Sequence, residues 1–182
     1  MAAWNDWYHV NGNTYGTWLP GDPRGWREKR HKKHVDGDYK NPPPKGSGDA
    51  LHRHARDLLK QPPVYLDQAQ REAAGRALVQ WFVEHHVEIL ALSLDAIHYH
   101  LLARFRDRQV RPRVGRAKKH AYHELHDRGF PGKLWQHGCN VVPITDRQHQ
   151  LNVFTYIRRH QQQGAWLWTF REGLYWLSGN NR

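Results

Sequence analysis

The sequence has 182 residues, of which 38% are hydrophobic and nine are Trp, so it is long and apolar enough for one domain with its own core. Its formal net charge of +11 at pH 7 predicts a polyanionic partner, nucleic acid above all. The single cysteine, Cys139, excludes an internal disulfide and a Cys-based zinc knuckle, so any metal must be held by the fifteen histidines, by carboxylates or by amides.

The N-terminal stretch MAAWNDWYHV lacks the basic and apolar regions of a secretion signal. No apolar run is long enough to span a bilayer, so we expect a cytoplasmic protein that works without a membrane. The stretch WYHVNGNTYGTWL, residues 7–19, is rich in aromatic and β-branched residues and is interrupted by Gly12 and Gly16. This pattern predicts an irregular or bulged first strand.

A basic segment rich in Pro and Gly follows, from Pro20 to Pro63, and its lack of apolar periodicity predicts a long loop or insertion. Between Arg24 and Lys60, eleven Lys or Arg residues stand against five Asp or Glu residues. The segment is therefore either a nucleic-acid-binding loop or simply a solvated loop. Under the first interpretation, the predicted contacts to the nucleic-acid backbone are Arg27, Lys29, Arg30, Lys32 and Lys33.

A helix and a pair of strands are predicted next. The helix runs from about Asp67 to His86, because Asp67 and Gln70 form a capping-box pattern ahead of an apolar stripe at helical spacing. VEILALSL, residues 87–94, predicts a strand that is apolar on both faces. A short turn at Asp95 leads into AIHYHLLARF, residues 96–105, so these two strands should pair antiparallel.

The stretch AIHYHLLARF separates two kinds of side chain, because successive residues of a strand point to opposite faces. The predicted core face carries Tyr99, Leu101, Ala103 and Phe105. The other face is mostly basic and carries His98, His100, Leu102, Arg104 and Arg106. We expect Arg104 and Arg106 to contact nucleic acid beside the two histidines.

The chain continues with a basic helix from about Val114 to Asp127, after a break at Pro112. Its lysines Lys118 and Lys119 are further predicted contacts to nucleic acid.

The last elements complete an antiparallel α+β pattern. KLWQHGCNVVPI, residues 133–144, predicts a strand, and a capping-box pattern of Thr145 and Gln148 opens a helix that runs to about Gln163 and stops at Gly164. The Trp-rich tail AWLWTFREGLYWLSG, residues 165–179, predicts a packed segment of undefined form. We therefore expect one α+β domain over residues 1–182, with helices packed on an antiparallel sheet.

Two short patterns together predict a metal site next to a tyrosine. His98 and His100 would point the same way from a strand, about 7 Å apart at the backbone, a separation that one metal ion can bridge. Tyr156 and His160 are four residues apart on the last helix and so lie one above the other. A His-x-His pair alone is more often two exposed strand histidines. The tyrosine helix and the basic charge favour a metal-and-tyrosine site on a nucleic-acid-binding surface.

Three stretches of the sequence resemble the single-tyrosine HUH transposases of small insertion sequences and the related REP-associated tyrosine transposases. They are HYHLLARF (98–105), LWQHGCNVVPI (134–144) and YIRRHQQQGA (156–165). HUH stands for His, hydrophobic residue, His, and Tyr99 takes the middle place. The resemblance covers Asp67 to Gln163 well and Trp4 to Trp18 loosely, and it implies an HUH-endonuclease architecture, which is similar to that of RRM domains.

The resemblance also implies roles for individual residues. His98 and His100 would be ligands of a divalent metal, Mn²⁺ or Mg²⁺, and Tyr156 would be the nucleophile that forms a 5′-phosphotyrosine intermediate. His160 would be the third ligand, at a position where the family commonly has Gln or Asn. Another departure is Ile97, where relatives often carry Asp or Asn. The implied substrate is single-stranded DNA flanked by hairpins, and the active form is often a homodimer.

Two alternatives to an active transposase stay open at this stage. A domesticated relative could bind a DNA or RNA hairpin without cutting it, which the basic charge supports equally well. A zinc hydrolase could use His98, His100 and His160 with water as the nucleophile. That reading lacks a clear general base, since the one carboxylate candidate, Glu88, is remote from the motif in sequence.

Overall fold

The computed structural model describes residues 3–24, 44 and 46–171, and over these residues the chain forms an α+β fold, as predicted. The strands of the described part are β1 (Trp7–Asn13), β2 (Glu88–Leu94), β3 (His98–Arg104), β4 (Asn140–Pro143) and β5 (Trp166–Thr169). The α-helices are α1 (Asp49–Asp57), α2 (Gln68–Glu84), α3 (Val110–His126) and α4 (Arg147–Arg159), and the 3-10 helices are Trp4–Asp6 and His160–Gln163. None of the helices in the described ranges has the length and apolar character needed to cross a membrane.

The five strands form a single sheet in the order β4-β1-β3-β2-β5, and all neighbouring strands are antiparallel. The predicted pairing of β2 with β3 is confirmed, and Asp95 stabilises the turn between them by accepting the backbone N–H groups of Ile97 and His98, each at 2.7 Å. In the register of β1 and β3, His98 lies opposite Asn13 and His100 lies opposite Asn11. Because β3 is the central strand, both histidines project from the most constrained part of the sheet.

Helices cover the two faces of the sheet unequally. Helix α2 packs on one face and α3 packs on α2, around a core that includes Tyr99, Leu101 and Phe105. Helix α4 packs on the other face, where a smaller apolar cluster contains Ala91, Leu102, Ile144, Val153 and Ile157. The alternation predicted for β3 is therefore confirmed, with Tyr99, Leu101 and Ala103 in the larger core and Leu102 in the smaller cluster.

Two predicted helix starts can be compared with the structure. The capping box of Asp67 and Gln70 is present, with both reciprocal hydrogen bonds formed at 2.8 and 3.1 Å. The predicted capping box of Thr145 and Gln148 is wrong, because α4 begins one residue later. Its N-cap is Asp146, whose carboxylate accepts the backbone N–H of His149, while Thr145 donates its hydroxyl to the same carboxylate.

Helix α3 begins at Val110, four residues earlier than predicted. Pro112 lies in the first turn, where a backbone N–H has no partner within the helix, so the proline does not break it. Helix α4 continues directly into the 3-10 helix His160–Gln163. This helical segment stops at Gly164, which has a left-handed φ of 84°, as the sequence predicts.

The strand predicted over residues 133–144 is shorter than expected. Only Asn140–Pro143 pairs with β1, and upstream of it Trp135 makes an isolated bridge with Thr14. Gly138 separates these two contacts, and its φ of 75° is incompatible with a continuous strand. The tail contributes β5 at the edge of the sheet, next to β2. Part of the predicted insertion is helical, as α1, and residues 25–43 lie outside the described part of the chain.

Candidate metal and tyrosine site

Three histidines meet on the α4 face of the sheet. His98 and His100 come from β3, and His160 comes from the turn that follows α4. One ring nitrogen from each lies within 4.8 Å of the others, and across residues 3–24, 44 and 46–171 this is the one group of three or more His, Cys, Asp or Glu close enough to hold an ion. The predicted third ligand, His160, is thus adjacent to the predicted His-x-His pair.

Local structure explains how these rings converge. His98 and His100 are two residues apart on β3 and point to one face. Helix α4 is anchored over that face by Ile157, which is fully buried with Leu102 of β3. One helical turn separates Tyr156 from His160, so anchoring the helix brings both rings to the histidine pair.

His98 and His160 are held in defined orientations. Nδ1 of His98 lies 2.6 Å from a carboxylate oxygen of Asp95. Nδ1 of His160 lies 3.1 Å from the backbone carbonyl oxygen of Tyr156. A carbonyl oxygen and a carboxylate can only accept, so in each ring Nδ1 is the donor and the neutral imidazole keeps its lone pair on Nε2. Such partners orient metal-ligating histidines in general.

His100 has a different partner, the imidazole of His9 on β1. Nδ1 of His100 lies 3.0 Å from Nε2 of His9, and the two rings stack with their centroids 5.2 Å apart. Nε2 of His100 is buried and has no hydrogen-bond partner among the described residues. A buried nitrogen without a partner beside two other imidazoles fits a divalent metal that accepts nitrogen ligands.

Burial keeps two of these rings uncharged. It lowers the pKa of His100 to about 2, and the neighbouring His98, His9 and His160 lower it further while Asp95 opposes them. Burial, with His149 and His160, lowers the pKa of His9 to about 4. Both imidazoles are therefore neutral near pH 7, which is the form that binds a metal.

Asp95 is ionised despite its position. Burial raises its pKa, but the hydrogen bonds and charge of His98 and the backbone N–H of Ile97 outweigh burial, and the pKa is lowered overall. The carboxylate therefore adds one negative charge at the edge of the histidine cluster, next to His98.

Tyr156 borders the histidine cluster and is 46% exposed. Its ring centroid lies 4.8 Å from that of His160, 5.2 Å from that of His100 and 6.1 Å from that of His9. Burial of its inner side, with the charge of Asp95, raises the pKa of the phenol. Tyr156 is thus a neutral phenol, open to solvent, beside the three histidines.

The predicted DNA contacts lie in different places. Five of them, Arg27, Lys29, Arg30, Lys32 and Lys33, lie outside the described residues. Arg106 binds Glu88 at 2.5 Å, and Arg104 lies 3.6 Å from the same carboxylate and donates to the backbone carbonyl oxygen of Asn5 at 2.8 Å. Glu88 pairs with Arg104 at the far end of β3 from His98, so it does not face the cluster as a general base would.

The two lysines of α3 differ from each other. Lys119 is exposed, on the helix that lies across the sheet from the histidines. Lys118 does not lie on the predicted basic surface: it is 7% exposed, and its ammonium donates to the carbonyl oxygens of Gln136 and Gly138 at 2.6 and 2.7 Å. Burial lowers its pKa to about 8. We therefore leave Lys118 out of the DNA-binding set.

Two residues of the site, His9 and Asp95, were not identified from the sequence. Asp95 follows a predicted strand and was interpreted only as a turn residue, although an Asp three residues before a His is a spacing that allows the pair to form. His9 gives no local signal, because its place beside His100 depends on the pairing of β1 with β3.

Comparisons with known proteins agree with the fold. The chain is similar to a solved structure of a REP-associated tyrosine transposase bound to a REP hairpin, with a TM-score of 0.50 and 12% sequence identity over 90% of this chain and 72% of that chain. No protein-family model and no curated protein matches the sequence. The chain therefore shares the fold of a tyrosine transposase, with a three-histidine cluster that can hold a metal ion.

Proposed function

We propose that this protein is a metal-dependent HUH-type transposase that nicks and rejoins single-stranded DNA through a covalent bond to Tyr156. The observation that carries the proposal is the position of the Tyr156 ring, 5.2 Å from that of His100 and 4.8 Å from that of His160. A protein that only binds nucleic acid has no need of a half-exposed tyrosine beside three convergent imidazoles.

His98, His100 and His160 would hold the metal through their Nε2 atoms, since Nδ1 of each ring already has a partner. A divalent ion there would offset the charge that builds on the oxygens of a scissile phosphate. The set of three nitrogens favours Mn²⁺ or Co²⁺ over Mg²⁺, which prefers oxygen ligands.

Tyr156 would act as the nucleophile. Its oxygen forms a bond to phosphorus while the bond from phosphorus to the 3′-oxygen of the cleaved strand breaks. The phenol gives up its proton and the departing 3′-oxygen takes one up, which gives a 5′-phosphotyrosine and a free 3′-hydroxyl. Because the pKa of the phenol is raised, the phenol is protonated near neutral pH, and a metal, a base or water must help to remove its proton. Attack by a 3′-hydroxyl on the phosphotyrosine reverses the step, so joining needs no nucleotide cofactor.

The proposed substrate is single-stranded DNA next to a hairpin. The structural neighbour is described as bound to a REP hairpin, and the net charge of +11 suits a nucleic acid. We keep Arg104, Arg106, Lys119 and the basic stretch Arg27–Lys33 as proposed contacts to the DNA backbone. Arg104 and Arg106 would exchange part of their pairing with Glu88 for phosphate.

The experiment is an adduct assay on hairpin oligonucleotides. Labelled hairpins with single-stranded flanks are incubated with the protein and Mn²⁺, then separated by denaturing electrophoresis. We expect a covalent protein–DNA band with wild type and with Tyr122→Phe, a control on α3. With Tyr156→Phe we expect no band and hairpin binding within a few-fold of wild type. An adduct formed by Tyr156→Phe would refute the assigned nucleophile. Binding without cleavage by wild type across hairpins and metals would favour the non-cleaving alternative.

Whether two subunits share one site is tested by mixing inactive variants. In the structure, Tyr156 lies beside the histidines of its own chain, which supports a site built within one chain. A homodimer that exchanges tyrosine helices would regain cleavage when Tyr156→Phe protein is mixed with His98→Ala protein. We expect the mixture to stay inactive, and recovered cleavage would refute this.

A further inference from the structure

The three candidate metal ligands, His98, His100 and His160, share one feature. Nδ1 of each imidazole has a partner within hydrogen-bond distance. For His98 this partner is the Asp95 carboxylate, and for His160 it is the Tyr156 carbonyl. Both are acceptors, so both rings donate from Nδ1, and the neutral form of each ring carries its lone pair on Nε2.

The partner of His100 is another imidazole, which can accept or donate. If His9 donates from Nε2, the proton of His100 sits on its buried Nε2, where no acceptor is present among the described residues. If His100 donates from Nδ1, its Nε2 carries a lone pair that a metal can bind, and one ring nitrogen from each of the three histidines lies within 4.8 Å of the others. Only the second arrangement allows His100 to bind a metal.

We propose that His9 is a positioning residue of the metal site: its Nε2 accepts the Nδ1 proton of His100 and so holds Nε2 of His100 as an unprotonated ligand. This inference rests on the proposed function for the nature of the site, but the tautomer it assigns exists with or without a metal.

The sheet places His9 for this role. Strand β1 is paired along its whole length with β3, and His9 lies opposite Leu102, diagonal to His100 on the same face. The stacked rings meet at an angle of 30°, and the ring of His9 also contacts the edge of Tyr156 with centroids 6.1 Å apart. A residue fixed by two neighbouring strands and touching both a ligand and the tyrosine can orient the ligand with little loss of freedom on binding.

The effect is measured by cobalt binding, followed through the visible absorption of Co²⁺ without DNA or cleavage. Partners of this kind typically contribute about 10- to 100-fold to metal affinity. We expect His9→Leu, which cannot accept a hydrogen bond, to weaken Co²⁺ binding by about that factor. His9→Gln, whose amide oxygen can accept the His100 proton, should bind within a few-fold of wild type. His126→Leu, at an exposed histidine on α3, is the control and should bind like wild type.

Folding is checked by the far-UV circular dichroism and thermal midpoint of each metal-free variant. If His9→Leu folds and binds Co²⁺ like wild type, or if folded His9→Gln is as weak as folded His9→Leu, the proposal is wrong.

A second measurement uses wild-type protein alone. Nitrogen-15 correlation spectra of the histidine rings in metal-free protein report which nitrogen carries the proton. The proposal requires the proton of His100 on Nδ1 and that of His9 also on Nδ1. A proton on Nε2 of His100 overturns it. Absence of Co²⁺ binding by wild type would instead refute the metal site of the proposed function. The nitrogen-15 spectra would still show which nitrogen of His100 carries the proton.

Discussion

The two faces of the central sheet differ in what they bury, although the same strands supply both. On the α2 face, twenty-four buried apolar residues of the described chain form one core. On the α4 face, five buried apolar residues anchor a single helix, and the remaining space holds the histidines and Tyr156. Strand β3 contributes Tyr99 and Leu101 to one side and His98 and His100 to the other. Neighbouring residues of one strand therefore belong either to the larger core or to the candidate site.

The largest effect should come from removing the metal proposed for the α4 face. We expect protein stripped by a chelator to lose cleavage, and Mn²⁺ to restore it better than Mg²⁺ because the three ligands are nitrogens. In His160→Gln an oxygen replaces one nitrogen, so the preference should move toward Mg²⁺. Cleavage rates on one hairpin with each metal test this, with His126→Gln as the control. Undiminished cleavage by stripped protein would contradict the role of the cluster.

A substitution on the α2 face should lower stability and leave metal binding almost unchanged. Leu101 is fully buried in the larger core, and Leu101→Ala should lower the free energy of unfolding by about 2–5 kcal/mol. Protein that remains folded should bind Co²⁺ within a few-fold of wild type, because the substitution lies across the sheet from the histidines. Urea unfolding and cobalt titration of one sample separate the two properties. A loss of cobalt affinity without a loss of stability would mean that the faces are coupled.

The free energy of unfolding should depend on pH because His9 and His100 are neutral in the folded protein. His9 and His100 have pKa values of about 4 and about 2 in the folded protein, below the 6.5 of an ordinary histidine. Between pH 6.5 and 4 the unfolded chain therefore binds more protons, and stability falls as pH falls. His9 alone should account for about 2 kcal/mol between pH 6.5 and 5. His9→Gln should flatten the decline, as measured by urea unfolding of metal-free protein at several pH values. An equal slope in the variant would show that His9 titrates normally.

The smallest effect is expected from Tyr99→Phe, at the tyrosine between His98 and His100. The hydroxyl of Tyr99 is buried without a hydrogen-bond partner among the described residues, and its ring occupies the space that a Cβ on Gly12 would enter, at 2.8 Å. Tyr99→Phe removes an unsatisfied polar group and should leave stability unchanged or raise it by about 1 kcal/mol. Adduct formation should be unaffected, in contrast to Tyr156→Phe. A clear loss of stability would mean that the hydroxyl has a partner in solution, such as a buried water.

Parts of this molecule with a local pattern could be predicted from the sequence. The alternation of β3, the capping box at Asp67 and the one-turn spacing of Tyr156 and His160 each depend on residues close in the chain. Lys118 also had a local signal that was missed: it lies four residues after Val114 and three before Ala121, within the apolar stripe of α3. Its burial follows from that stripe.

The contact between His9 and His100 could not be predicted in this way. The two residues are 91 positions apart, and their contact depends on the register of two strands that no short motif encodes. A shift of one residue in that register would turn His9 to the other face.

Because the three histidines are separated along the chain, the proposed metal site is complete only in the native state. Unfolding leaves only the adjacent pair on residues 98 and 100 together, while His160 and the ring that orients His100 move far away. An ion that binds the folded chain far more tightly than the unfolded chain stabilises it by mass action, by about 2.7 kcal/mol at one hundred times the dissociation constant. Under the proposed function, metal supply would therefore raise the stability of this protein as well as the rate of its reaction.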